Sequence, residues 1–187
     1  MTNLQFDFKV YLGDPDEGAE AVPSREALKR VDEIQEKLPW PDVYGTILIQ
    51  SEGESLLSHR PDPIVQLVTG LVRCVPYLID GESETALLSE SEHGFAFEPS
   101  DKDVTFSFFA GDAYEPDEFL VEPTPVPLTQ FGREILDLGA RLRDLMKACD
   151  PEIFDRDEYS NGLLEFLDEG EERFKTYQLQ LERGLRV

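Results

Sequence analysis

The sequence has few of the residues that carry most enzyme and metal chemistry. Its 187 residues include two histidines and two cysteines, and neither His59 nor His93 has a second His or a Cys at metal-ligand spacing. Cys74 and Cys149 lie within helical patterns, with no neighbouring His or basic cluster to lower a thiol pKa. Glycine-rich phosphate loops and the Gly-x-Ser-x-Gly turn are also absent. The sequence therefore predicts surface histidines, buried thiols, no catalytic site, no metal site and no cofactor.

Long apolar runs are missing as well. No stretch of about 18 apolar residues is present, so we expect no transmembrane helix. The first residues lack the basic segment followed by an apolar segment that is typical of a secretory signal. The two cysteines lie within helical patterns and are predicted to be small core residues, so we expect no disulfide framework. These features predict a cytoplasmic protein that does not bind membranes.

Basic residues are scarce relative to acidic ones. Seventeen Lys and Arg oppose 40 Asp and Glu, which gives a formal net charge of -23. The imbalance is uneven, because residues 1–79 hold 13 acids and 7 bases, whereas residues 80–187 hold 27 acids and 10 bases. Such a charge repels nucleic acid and attracts basic proteins. It is also typical of proteins from salt-loving organisms, so a functional acidic face and a general adaptation to salt both remain open.

Apolar patterns before residue 122 indicate strands with two helices between them. Leu4–Leu12 alternates apolar and polar residues, and Tyr44–Gln50 is a short apolar run typical of a central strand. Helices are predicted from Ser24, as N-cap, to Leu38 and from Ile64 to Val75. From Glu84 to Glu122 the period is two, which predicts a meander of antiparallel strands. Its inward-facing residues are predicted to be Phe95, Phe97, Val104, Phe106 and Phe108.

The strongest pattern of the chain is helical and follows a proline-rich segment, 123–127, that is predicted to be a rigid connector. Seven apolar residues recur at spacings of three and four, which defines one helical stripe: Leu128, Phe131, Ile135, Leu138, Leu142, Leu145 and Cys149. A second stripe has Gly170 in place of one apolar residue and consists of Leu163, Leu167, Phe174, Tyr177 and Leu181. We expect residues 126–187 to form an antiparallel helical hairpin.

These elements predict a single α+β domain over residues 1–187. Residues 1–122 would form its sheet, with about five to six antiparallel strands packed against helices, and the C-terminal hairpin would pack on that sheet. Because the two helical stripes can cover each other, we expect a monomer or a weak dimer.

Two local features have both a functional and a structural interpretation. Asp14 and Asp16 have the spacing of two calcium ligands, but Gly18 comes one place early and Arg25 stands where a bidentate Glu is needed. A solvated loop is the better interpretation. Trp40, between two prolines, is either a residue at the edge of the core or an interface anchor, and we favour the core edge.

The function that this composition favours is non-enzymatic binding of a basic protein. Immunity and antitoxin proteins have this character when they cover the basic, nucleic-acid-handling surface of a toxin. The predicted partner-binding residues in the meander loops are Glu90, Glu92, Asp101, Asp112, Glu115, Asp117 and Glu118. A second predicted patch consists of Asp155, Asp157 and Glu158. The alternative is an acidic housekeeping or structural protein of a salt-adapted organism, without a dedicated acidic site.

Overall fold

The computed structural model describes residues 4–51, 54–55, 57, 60–113 and 115–184, so the prediction for His59 lies outside the described residues. The protein is α+β. Its strands are β1 (Leu4–Tyr11), β2 (Ala21–Pro23), β3 (Tyr44–Ser51), β4 (Glu54–Ser55), β5 (Asp62–Pro63), β6 (Glu84–Leu87), β7 (His93–Ser100), β8 (Asp103–Gly111) and β9 (Pro116–Pro127). Its helices are α1 (Ser24–Ala27), α2 (Val31–Ile34), α3 (Ile64–Ile79), α4 (Leu128–Cys149), α5 (Ile153–Arg156) and α6 (Glu158–Glu182).

The strands form two antiparallel sheets. The first has the order β2-β1-β3-β4, with β5 also paired to β3, and the second is the meander β6-β7-β8-β9. The prediction of one sheet with five to six strands is therefore wrong in its count, because α3 separates β5 from β6 and the meander starts a sheet of its own. The sheets meet through aromatic side chains, as the Phe6 ring lies 6.0 Å from the Phe106 ring in an edge-on arrangement.

The inward faces of both sheets follow the alternation of the sequence. Leu4, Phe6, Phe8 and Val10 of β1 are buried. All five predicted inward residues of the meander are fully buried as well: Phe95, Phe97, Val104, Phe106 and Phe108. Trp40 is also buried at the edge of this core, which confirms the structural interpretation of that residue.

The prediction that residues 123–127 form a rigid connector is wrong, because these residues belong to the edge strand β9. Thr124 pairs with Phe106 and Val126 pairs with Val104, while Pro125 and Pro127 occupy the alternate positions. At those positions a backbone N–H would point away from β8, so proline costs the ladder no hydrogen bond there. The prolines also remove donors from the free edge of the sheet, which discourages a foreign strand from pairing with it.

Helix α4 spans the predicted residues, and its apolar stripe is buried from Leu128 to Leu145. It runs antiparallel to α6, and glycines bring the two helices close together. A Cβ added at Gly132 would lie 2.6 Å from the Phe174 ring, and one at Gly170 would lie 2.8 Å from Leu136. Gly170 therefore marks a close helix contact, which is one of the ways in which glycine serves a helix interior.

The C-terminal part is not a simple hairpin. The short helix α5 separates α4 from α6, and α6 contacts α3 more extensively than it contacts α4. A Cβ at Gly139 of α4 would lie 2.6 Å from Val72 of α3 and 2.8 Å from Leu167 of α6, so the three helices meet at this point. The physical reason is that α3 is apolar around most of its circumference and requires cover on more than one side.

The predicted helix from Ser24 to Leu38 is broken into α1, α2 and a short 3-10 helix over residues 35–37. Ser24 does not act as an N-cap, because its hydroxyl donates to Asp7 Oδ1 at 2.5 Å. This hydrogen bond ties α1 to β1 instead of satisfying the first turn of a helix.

Polar side chains of α4 complete the hydrogen bonding of β1, since β2 pairs only with Lys9–Tyr11. The Phe6 N–H donates to Glu134 Oε2 at 3.2 Å, and Arg141 donates to the Phe6 carbonyl oxygen at 2.7 Å. Gln130 donates to the Leu4 carbonyl oxygen at 3.1 Å. The helix therefore occupies the place that a further strand would take at this edge.

Candidate functional site

Loops from both sheets meet at one end of the molecule. The β1–β2 loop and the segment before β3 face the β6–β7 turn across a groove, and the β8–β9 turn joins them through the Gly111 N–H, which donates to the Glu92 carbonyl oxygen at 2.7 Å. We call nine carboxylates from these loops and from the start of β9 the acidic end: Asp14, Asp16, Asp42, Glu90, Glu92, Asp112, Glu115, Asp117 and Glu118.

The groove at the acidic end has a volume of about 780 Å³. Four carboxylates line it, from Asp14, Asp16, Asp42 and Glu90, together with one guanidinium, from Arg60. Proline and tyrosine side chains, with Gly13 and Val43, supply the rest of its walls. A concave surface with acidic and aromatic walls suits the charged head and the apolar stem of a Lys or Arg side chain.

Asp62 holds the β6–β7 turn in position beside the groove. Its carboxylate is 1% exposed and accepts the backbone N–H groups of Ser89 and Glu90, each at 2.9 Å. Burial raises the pKa of Asp62, and these two hydrogen bonds oppose the rise. Sequence reasoning missed this residue, although its place between Pro61 and Pro63 indicates a constrained position.

Glu90 is further oriented by Tyr44, whose hydroxyl donates to Glu90 Oε1 at 2.8 Å. This hydrogen bond, followed by burial, raises the pKa of Tyr44, because the phenol must lose its proton beside a carboxylate. Both the backbone and the side chain of Glu90 are thus held by hydrogen bonds, which reduces the conformational entropy lost when a cation binds to its carboxylate.

The structure brings six of the ten predicted partner-binding residues to the acidic end: Glu90, Glu92, Asp112, Glu115, Asp117 and Glu118. Asp101 lies apart, in the β7–β8 turn at the opposite end of the sheet. There the Lys102 carbonyl oxygen accepts the N–H of Leu128 at 2.9 Å, at the start of α4.

The second predicted patch lies between α4 and α6. Asp157 caps α6 by accepting the Ser160 N–H at 2.7 Å, and Glu158 is in the first turn of that helix. Asp155 belongs to α5, next to Arg156, which pairs with Asp150. Carboxylates at a helix N-terminus stabilise the helix, so Asp157 has a local structural role.

An apolar patch borders the acidic end on the outer face of the second sheet. Leu87, Gly94, Phe109 and Phe119 form one row across the four strands, in which each residue pairs with the next. Leu87 is 59% exposed and Phe119 is 39% exposed, whereas Phe109 is fully buried between them. The adjacent pair Phe108–Phe109 signals this patch in the sequence, because neighbouring strand residues face opposite sides of a sheet.

The thiols and the described histidine lie outside the groove lining. Burial raises the pKa of Cys74 to about 12 and also raises the pKa of Cys149. His93 Nδ1 lies 3.1 Å from Ser91 Oγ, and its ring packs against Phe108. Within the described ranges, no three His, Cys, Asp or Glu side chains are grouped as metal ligands would be. The acidic end offers hydrogen-bond acceptors and negative charge.

Among the residues that the structure describes, no helix combines the length and the apolar composition that crossing a membrane requires. Comparison with protein-family models, with curated proteins and with solved structures found no match for this chain.

Proposed function

We propose that this protein binds a basic protein partner and neutralises it, in the manner of an immunity or antitoxin protein. The observation that carries this proposal is the convergence of carboxylates from both sheets around the groove. Among them, Glu90 is held in position because its backbone N–H donates to Asp62 and its side chain accepts the Tyr44 hydroxyl. A partner that handles nucleic acid has the complementary surface, because it must bind phosphates with Lys and Arg.

Electrostatic attraction to the acidic end would act mainly on the association rate. Opposite potentials steer two proteins together and raise association rate constants toward roughly 10⁸ M⁻¹s⁻¹ at low salt. The Debye length is about 8 Å at physiological ionic strength, so added salt screens this attraction. A partner bound in this way should dissociate from the protein as the salt concentration rises.

The proposal is tested by recovering the partner from the native host and measuring its affinity. The purified protein is used as bait in host extract at low salt, and bound proteins are eluted with a salt gradient and identified by mass spectrometry. We expect a basic protein whose activity is inhibited by the bait and whose association rate constant falls with rising salt. A specific partner with acidic character, or one whose binding is insensitive to salt, would refute the proposal.

Charge-neutralising variants locate the effect on the molecule. The double variant Glu90→Gln/Glu92→Gln should slow association with the recovered partner by about tenfold, which corresponds to about 1.4 kcal/mol. The double variant Asp101→Asn/Asp103→Asn removes the same charge at the opposite end of the second sheet and serves as the control. Equal effects of the two variants would mean that net charge matters and the acidic end does not.

An acidic structural protein of a salt-adapted organism is the second candidate. It is favoured by exposed carboxylates of α6 that lie away from the acidic end: Glu165, Asp168, Glu169, Glu171 and Glu172. This candidate requires a melting temperature that rises steeply with KCl up to molar concentrations, and no specific basic partner. Thermal unfolding at increasing KCl, together with the bait experiment, separates the two candidates.

A further inference from the structure

We propose that the basic partner docks on the outer face of the second sheet and places an aliphatic or aromatic side chain, flanked by Lys or Arg, over the apolar patch whose exposed residues are Leu87 and Phe119. This inference rests on the proposed function and adds to it the docking surface and the chemistry of the docking segment.

The patch has the close packing of a formed surface. Gly94 lies beneath it, and a Cβ there would be 2.7 Å from Leu87 Cδ2 and 2.9 Å from Phe109 Cζ. The missing side chain lets Leu87 and Phe109 pack over the β7 backbone, and the residues of the row that remain exposed to solvent are Leu87 and Phe119.

This surface faces away from the helices. Ala86, next to Leu87, faces α3, and a Cβ at Gly70 of that helix would lie 3.6 Å from it. Phe108, next to Phe109, belongs to the main core. Among the described residues, the main hydrophobic cluster does not include Phe109, although that ring is fully buried. The patch is therefore separate from the core and lies on the opposite face of the sheet.

Negative charge borders the patch at the acidic end. The Asp117 carboxylate lies over Gly111, because a Cβ there would be 2.6 Å from Asp117 Oδ2, and Gly111 is two residues along β8 from Phe109. Glu90 and Glu92 lie in the turn that follows Leu87. An apolar centre with a charged rim is the usual anatomy of a protein interface, and aromatic residues dominate its binding energy.

Charge complementarity identifies the occupant. Carboxylates at the rim favour Lys and Arg on the opposing surface. A second copy of this chain would bring another -23 of formal charge and place like charges opposite each other. The surface therefore fits a basic protein with an apolar side chain at the centre of its contact, and it disfavours self-association.

Two synthetic peptides test this assignment on the full chain. Each peptide has three lysines at each end, and the three central residues are Leu-Trp-Leu in the first peptide and Ser-Gly-Ser in the second. Affinities are measured by isothermal titration calorimetry at low and at physiological salt, and the binding surface is mapped by NMR chemical shifts. We expect the first peptide to bind about tenfold more tightly than the second and to shift the resonances of the Leu87–Phe119 row.

Exposed residues allow matched variants that keep the fold, which circular dichroism verifies. Leu87→Ser and Phe119→Ser should each reduce the preference for the first peptide, whereas Leu179→Ser, at a residue of α6 that is 43% exposed, should leave it unchanged. If Phe119→Ser lowers stability, Leu87→Ser decides the result. Salt should weaken the binding of both peptides.

Other results overturn the inference in distinguishable ways. Equal affinity for the two peptides, unaffected by Leu87→Ser, would remove the docking surface and leave the proposed function standing. Absence of binding by both peptides would refute electrostatic recognition and the docking surface together. A dimer in sedimentation velocity that Leu87→Ser dissociates would show that a second copy occupies the patch.

Discussion

Replacing Gly139 by alanine tests whether α3, α4 and α6 meet as closely as their packing requires. The new methyl group would lie 2.6 Å from Val72 Cγ2 and 2.8 Å from Leu167 Cδ2, so these side chains or the helices that carry them must shift. Gly162 of α6 provides the control, because a Cβ there meets nothing within 4 Å. Both substitutions change glycine to alanine within a helix, and they differ in the space around the new methyl group.

The two substitutions should change the free energy of unfolding in opposite directions. Alanine is favoured over glycine in a helix interior by about 1 kcal/mol, so Gly162→Ala should raise the free energy of unfolding by about 0.5–1 kcal/mol near the helix start. At Gly139 the same gain is opposed by overpacking, which typically costs about 1–3 kcal/mol in a close-packed interior. We expect a net loss of about 1 kcal/mol for Gly139→Ala, hence a difference of about 2 kcal/mol between the variants.

Urea unfolding followed by circular dichroism measures both values, with the slope of the transition checking that the denatured state is unchanged. Gly170→Ala adds an intermediate case, since its Cβ would meet only the end of the flexible Leu136 side chain, at 2.8 Å. Stability of Gly139→Ala equal to or above that of the wild type would show that the three helices do not pack at this glycine.

Three further results are expected. Asp157→Ala should lower the free energy of unfolding by about 1 kcal/mol through loss of the α6 cap, and Asp155→Ala, with the same change of charge, should not; urea unfolding compares them. Cys74 should resist alkylation by iodoacetamide at pH 8 until the protein unfolds, because burial raises its pKa to about 12, and mass spectrometry reads the labelled site. The pKa of Asp62 is raised in the folded state. The free energy of unfolding that comes from this shift is fully present below the ordinary pKa of 3.8 and is lost as the pH rises through the raised pKa. Wild-type stability should therefore fall relative to Asp62→Asn over that pH window, and a parallel change in thermal unfolding of the two proteins would contradict the assignment.

Helix α4 and the inward phenylalanines could be predicted from sequence because each depends on a local period. The stripe from Leu128 to Leu145 specifies a helix whatever covers it, and alternation in β7 and β8 specifies one buried face. The partner of α6 could not be predicted in this way. Contacts such as Val72 with Gly139 join residues that are far apart in the chain, and periodicity carries no information about them.

The candidate site divides along similar lines. The acidic turns could be identified from the sequence. Successive turns of a meander lie at opposite ends of the sheet, however, and Asp101 therefore lies away from Glu90 and Asp117. Asp62 was missed because its importance depends on two backbone N–H groups more than 25 residues away. The proline-rich end of β9 was misassigned because proline is compatible with a strand only at an edge, and edges are defined by the assembled sheet.

The contact of α4 with the edge of β1 determines which parts of the fold open together. The Phe6 N–H donates to the Glu134 side chain, so its exchange with solvent requires this contact between α4 and β1 to open. If Phe6 exchanges with the same free energy as the amides in the middle of α4, undocking of that helix is the event that exposes it, even though the residue lies in a sheet. We therefore expect β1 and α4, which begin more than a hundred residues apart, to open as one cooperative unit.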